Sequence, residues 1–131
     1  MEEIAPNRNR PIYVLGHLVA VNDTMLPILG KGERLYPELE PIFLRTPDKA
    51  VEAIPSIEDL KEKWEKINTT LSDIFNKMEP QEWLDRHTRV SAEDFAKEPH
   101  RNKLNILLSR TNHTAYHAGQ LALVKDKELV G

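Results

Sequence analysis

At 131 residues, with 30% charged and 40% hydrophobic residues and a net charge of −3, the chain has the make-up of one globular domain large enough to bury a core. Its Lys and Arg are interleaved with Asp and Glu, which argues against a nucleic-acid or acidic-membrane partner, because phosphate-binding surfaces need clustered cations. The absence of cysteine excludes disulfides, thiolate metal sites, iron–sulfur clusters and a cysteine nucleophile.

The opening MEEIAPNRNR is polar and acidic, unlike a signal peptide, and no apolar run approaches membrane-spanning length. With no cysteines, these features lead us to expect a soluble, cytoplasmic protein.

The first helix is expected after NRNRP, with Asn9 or Arg10 as cap and Pro11 at the first helical position, where its missing N–H costs nothing. It reads IYVLGHLVAVNDTML, with Leu15, Leu18, Val19, Asn22 and Leu26 on one stripe, and should end near Pro27 to Gly30. The stretch from Gly30 to Pro55 follows, carrying Pro37, Pro41, Pro47 and Pro55. Connections of this length often serve as lids or binding walls. Tyr36, Phe43 and Leu44 give this one an apolar side that could cover a cleft or simply pack on the bundle.

Ser56 followed by Asp59 resembles a capping box. Ile57, Leu60, Trp64, Ile67, Leu71, Ile74 and Met78 then recur at spacings of three and four, the pattern of an amphipathic helix of about six turns. Trp64 and its stripe are core and carry no chemistry. Short helical turns are expected at PQEWLD and SAEDFA between Glu79 and Pro99. The last helix should run from about Asn102 to Lys125, packing through Leu104, Leu108, Thr111, Ala115, Ala118 and Ala122. There is no strand signal and no repeat. The expected fold class is all-α, a helix bundle forming a single domain over residues 1–131.

Candidate chemistry centres on RTNHTAYHAGQLAL. Positions i and i+4 of a helix lie about 40° apart on one face, so His113 and His117 are placed either to bind one metal ion or to serve as hydrogen-bonded or surface histidines. They lie opposite the small-residue stripe, beside Ile106, Gln120 and Val124. His17 occupies a comparable side of the first helix, shared with Tyr13, Val21 and Thr24, and would supply a third ligand. His87 and His100, beside Arg and Pro in expected loops, read as solvated.

PIYVLGHL in the first helix and HTAYHAGQLAL in the last resemble the two metal-binding helices of the DinB/YfiT-like superfamily. His17, His113, His117, Gly119 and Gln120 match its pattern of one upstream histidine and a terminal HxxxHxGQ, and PNRNRP resembles the loop before its second helix. The resemblance covers about Pro6 to Lys125. It implies an up-down-down-up bundle, here lacking the family's first helix, with His17, His113 and His117 as ligands of a divalent metal. A bundle short of one helix would expose an apolar groove along Leu15 and Leu18 or Trp64, and pairing into a homodimer would bury it.

Three imidazoles leave coordination positions open, as in catalytic sites, and suit Zn²⁺ by default, with Ni²⁺, Fe²⁺ or Mn²⁺ as alternatives. The resemblance implies a metal-dependent enzyme that activates a low-molecular-weight thiol for transfer to a small electrophilic substrate. Tyr13 and Gln120 are candidates for the surroundings of the ion. The other readings are a hydrolase that activates water on the ion, with Glu33, Glu38 or Glu40 as possible base, and a stress-related protein that binds metal or ligand without turnover.

Overall fold

The computed structural model describes residues 10–45 and 54–130, with side chains through residue 122. The described residues form α1 (Pro11–Asp23), α2 (Met25–Ile28), a 3₁₀ turn (Pro37–Leu39), α3 (Glu40–Phe43), α4 (Ile57–Lys77), α5 (Pro80–Trp83), α6 (Ala92–Lys97) and α7 (Lys103–Val130). Among them the one recorded β-type pairing is an isolated bridge between Arg86 and Asn102. The all-α bundle expected from the periodicity is what forms.

Arg10 caps α1 in an extended conformation, with Pro11 at the first helical position. The alternative cap Asn9, the PNRN segment and the question of an earlier helix lie outside the described residues. Pro27 explains the break between α1 and α2. Its ring conflicts with the carbonyl four residues back, that of Asp23, so the helix is interrupted there. Val14, Leu18, Val19, Ala20 and Val21 are all buried. A helix apolar on every side belongs in the interior, and α1 packs against α4, α7, α3 and the 3₁₀ turn.

The Ser56 side chain accepts a hydrogen bond from the Asp59 N–H at 3.1 Å, fixing the start of α4. Leu60, Ile67 and Leu71 turn inward, and Trp64 packs on the same core. α6 begins the same way, with Ser91 accepting from Asp94 N–H. Asn102 caps α7 by accepting from Asn105 N–H at 2.9 Å.

The described part of the Gly30–Pro55 stretch is packed on the bundle. Leu39 and Phe43 are buried, Phe43 completely. Gly16 permits this, because a Cβ at that position would overlap the Phe43 ring. Asp23, 1% exposed, ties the segment down: one carboxylate oxygen accepts from Leu35 N–H at 2.7 Å and the other from Tyr36 N–H at 2.8 Å. Desolvation outweighs these bonds and raises its pKa.

The structure departs from the sequence expectations at two points. Leu104, Leu108, Thr111, Ala115, Ala118 and Ala122 are all exposed, so the inward face of α7 is the one carrying Ile106, Leu107, His113, His117 and Leu121. Second, His87 is buried, at 6% exposure. Its Nδ1 accepts from Arg89 N–H at 3.1 Å, and burial lowers its pKa. His100 is exposed, as expected. A groove of about 380 Å³ opens beside Trp64, Leu71, Phe75 and Leu107.

Candidate metal centre

His17 projects from the middle of α1 and His113 and His117 from adjacent turns of α7, where the two helices pack together. The Nε2 of His17 lies 3.2 Å from that of His113, and the Nε2 of His117 lies 3.1 Å from it. The rings are steeply inclined to one another, at 66°, 73° and 85°, so the three imidazoles meet through their nitrogen edges rather than stacking.

The outer nitrogens establish which inner nitrogens carry lone pairs. His17 Nδ1 lies 2.9 Å from the main-chain carbonyl of Phe43. A carbonyl only accepts, so Nδ1 carries the proton and Nε2 the lone pair. His117 Nδ1 lies 2.6 Å from Gln120 Oε1 and donates to it, which again leaves a lone pair on Nε2. Both lone pairs confront His113 Nε2. If that atom bears a proton, its single N–H cannot point fully at two acceptors. If it does not, three lone pairs face one another. The conflict disappears around a cation.

The spacing meets the same requirement. Metal–nitrogen bonds of 2.0–2.1 Å at a tetrahedral angle separate ligand nitrogens by about 3.3–3.4 Å, and at right angles by about 2.8–3.0 Å. The observed 3.1 and 3.2 Å fall between these values. The residues present therefore fit a divalent ion, and the nitrogen donor set is the one that Zn²⁺, Ni²⁺, Fe²⁺ and Mn²⁺ accept. These three histidines are the metal-competent group found among the described residues.

The electrostatics favour the neutral form of His17 and His113. Desolvation, reinforced by His117, His17 and Arg110, pulls His113 down to about 4. His17 is lowered mainly by burial, against the opposing effect of its bond to the Phe43 carbonyl. Neutral imidazole is the form that binds metal.

The surrounding side chains have distinct places. The Tyr13 ring stacks on His17 and its hydroxyl donates to the Phe43 carbonyl at 3.3 Å, so Tyr13 supports the same acceptor as His17. Gln120, one turn beyond His117, orients that ring. A Cβ at Gly119 would meet nothing within 4 Å, so close packing does not account for this glycine. None of Glu33, Glu38 and Glu40 lines the cavity beside the histidines. Glu40 is engaged by Arg34 at 2.8 Å and Arg45 at 3.3 Å, and those cations hold its carboxyl below the usual range.

Three participants escaped the sequence reading. The Phe43 carbonyl is a main-chain group and has no residue-type signal. Arg110 had one, since it sits three residues before His113 on the same helical row. Arg89 had none, because only the fold brings its loop to this cavity.

Fold and cluster together define an all-α bundle with a half-buried three-histidine centre between its first and last long helices. No family model matches the chain, and no curated protein matches it in sequence.

Proposed function

We propose that His17, His113 and His117 hold a divalent metal ion and that the protein is a metal-dependent enzyme acting on a small electrophilic substrate with an external low-molecular-weight thiol. The observation that carries the metal reading is the pair of lone pairs, on His17 and His117, fixed toward His113 Nε2 by the Phe43 carbonyl and by Gln120. The resemblance of GHL and HTAYHAGQ to the DinB/YfiT-like superfamily supports the thiol-transfer reading, and the absence of cysteine is consistent with sulfur arriving on a second molecule.

A divalent ion held there supplies a positive charge that favours the ionised form of a thiol. The chain's own part is to bring three imidazoles together and to favour the neutral form of His17 and His113. Phe43 and Gln120 hold two of the rings through their outer nitrogens, while the packing of α1 on α7 excludes water from one side of the cluster.

Metal analysis of the purified protein tests the site. One ion per chain is expected, lost in His113→Asn. If the ion is present, thiol-dependent consumption of an aryl halide distinguishes transfer from binding without turnover. Consumption that does not require thiol, or none across a panel of electrophiles, rejects the transferase reading.

A further inference from the structure

The cavity beside the histidines, about 240 Å³ in volume, is lined by His17, His113, Thr24, Leu44, Arg89 and Arg110, together with Val21. It contains two guanidinium groups and no carboxylate. Among the described residues neither arginine side chain forms an ion pair. Nearby acids are committed elsewhere: Asp23 to the Leu35 and Tyr36 N–H groups, Glu40 to Arg34 and Arg45.

Arg110 is the informative member. It is half-buried, and its Nε is inaccessible to solvent and has no hydrogen-bond partner. The charged group that acts on it is Arg89, which repels it. Its positive charge also reaches His17 and His113. A fold that places two unneutralised guanidiniums on one cavity wall, with a donor left over, has built the receptor half of a charge-assisted hydrogen-bond site.

We propose that this cavity binds a small oxyanion, carboxylate or phosphate, carried by the substrate, with Arg110 and Arg89 as its receptors. Assigning the anion to the substrate rests on the metal-centre reading above, which places the reacting group at the adjacent histidines. The cavity's affinity for an oxyanion rests on the two arginines and does not require the metal.

Titration of the full-length, metal-free protein with inorganic phosphate and, separately, with succinate tests this at constant ionic strength. The arginine Nε–H resonances are followed by NMR. A saturable shift of the Arg110 signal is expected, and the tighter-binding probe identifies the class of anion. Arg89→Gln and Arg110→Gln should each weaken binding about tenfold or more, whereas Lys61→Gln, on the outer face of α4, should leave it unchanged. Arg89 is exposed, so its variant decides the matter if Arg110→Gln does not fold. No saturable shift with either probe, or wild-type affinity in Arg89→Gln, overturns the proposal. Metal content measured on the same samples separates the two readings: anion binding by a chain that takes no metal retains the pocket and removes the metal centre, and the converse does the reverse.

Discussion

The His17 imidazole donates through Nδ1 to the main-chain carbonyl of Phe43, 2.9 Å away, across 26 residues of sequence. This bond makes the proline-rich segment part of the site. Phe43 is completely buried, its ring rests against Gly16, the residue before His17, and its carbonyl also accepts from Tyr13. The orientation of one candidate ligand therefore depends on a loop docked by apolar packing.

Gly16→Ala tests that dependence. The added methyl meets a buried aromatic ring with no free space, so the ring and the backbone beside it must shift. The expected cost is about 1–3 kcal/mol of stability, read by chemical denaturation of the metal-free protein. Weaker metal binding should accompany it, because the Phe43 carbonyl moves with the ring. Unchanged stability and affinity would mean that the segment yields freely and does not position His17.

Gln120→Leu removes the acceptor that holds His117. Metal affinity should fall roughly 10- to 100-fold, the usual cost of losing a partner that orients a ligand. Gln120→Glu retains an acceptor oxygen and should stay much closer to wild type. Competition against a chelator of known affinity measures both, and equal losses in the two variants would show that Gln120 matters for packing rather than for the ring's orientation.

Asp23→Asn addresses how the segment is anchored. Each carboxylate oxygen accepts one main-chain N–H, and an amide would turn one of them into a donor facing a donor. A loss of about 1–3 kcal/mol is expected, visible as a lower denaturation midpoint at neutral pH. A variant as stable as wild type would show that the two bonds contribute nothing net.

The pH dependence of stability should carry the mark of His87. Its pKa lies below the ordinary 6.5 because burial disfavours the charged ring, and its Nδ1 lone pair is occupied in accepting from Arg89 N–H. Between the lowered value and 6.5 the unfolded chain binds more protons than the folded one. Stability is thus fully present above 6.5 and declines as pH falls below it. His17 and His113 contribute in the same sense, so the metal-free wild type and His87→Gln must be compared. The variant should show the shallower slope over this window, and identical slopes would contradict the assignment.

The parts of the fold legible in the sequence are those in which local chemistry and packing agree. Ser56, Asp59 and the stripe from Ile57 to Met78 predict α4 to within a residue, because the cap and the apolar face point the same way. The packed face of α7 is not legible in the sequence, for a physical reason. Its small-residue stripe looks like a packing surface, yet the side that packs carries two histidines, which meet one another, His17 and Gln120, and Arg110, which lines the cavity beside them. Hydrophobic periodicity cannot identify an inward face that carries polar groups. The same limit hid His87, which is buried by loop packing rather than by any pattern in its neighbours. The three histidines were legible as a set from the i, i+4 spacing and the matching side of α1, whereas their orientation by Phe43 and the two arginines beside them required the tertiary structure.

The central claim is that His17, His113 and His117 bind one ion together. Its most direct test is a Zn²⁺ titration of metal-free protein, followed by competition with a chromophoric chelator, for the wild type and for His17→Asn, His113→Asn and His117→Asn. One tight equivalent per chain, weakened severely in every variant, is the expected result. Absence of a saturable site in the wild type, or wild-type affinity in any of the three variants, would contradict it.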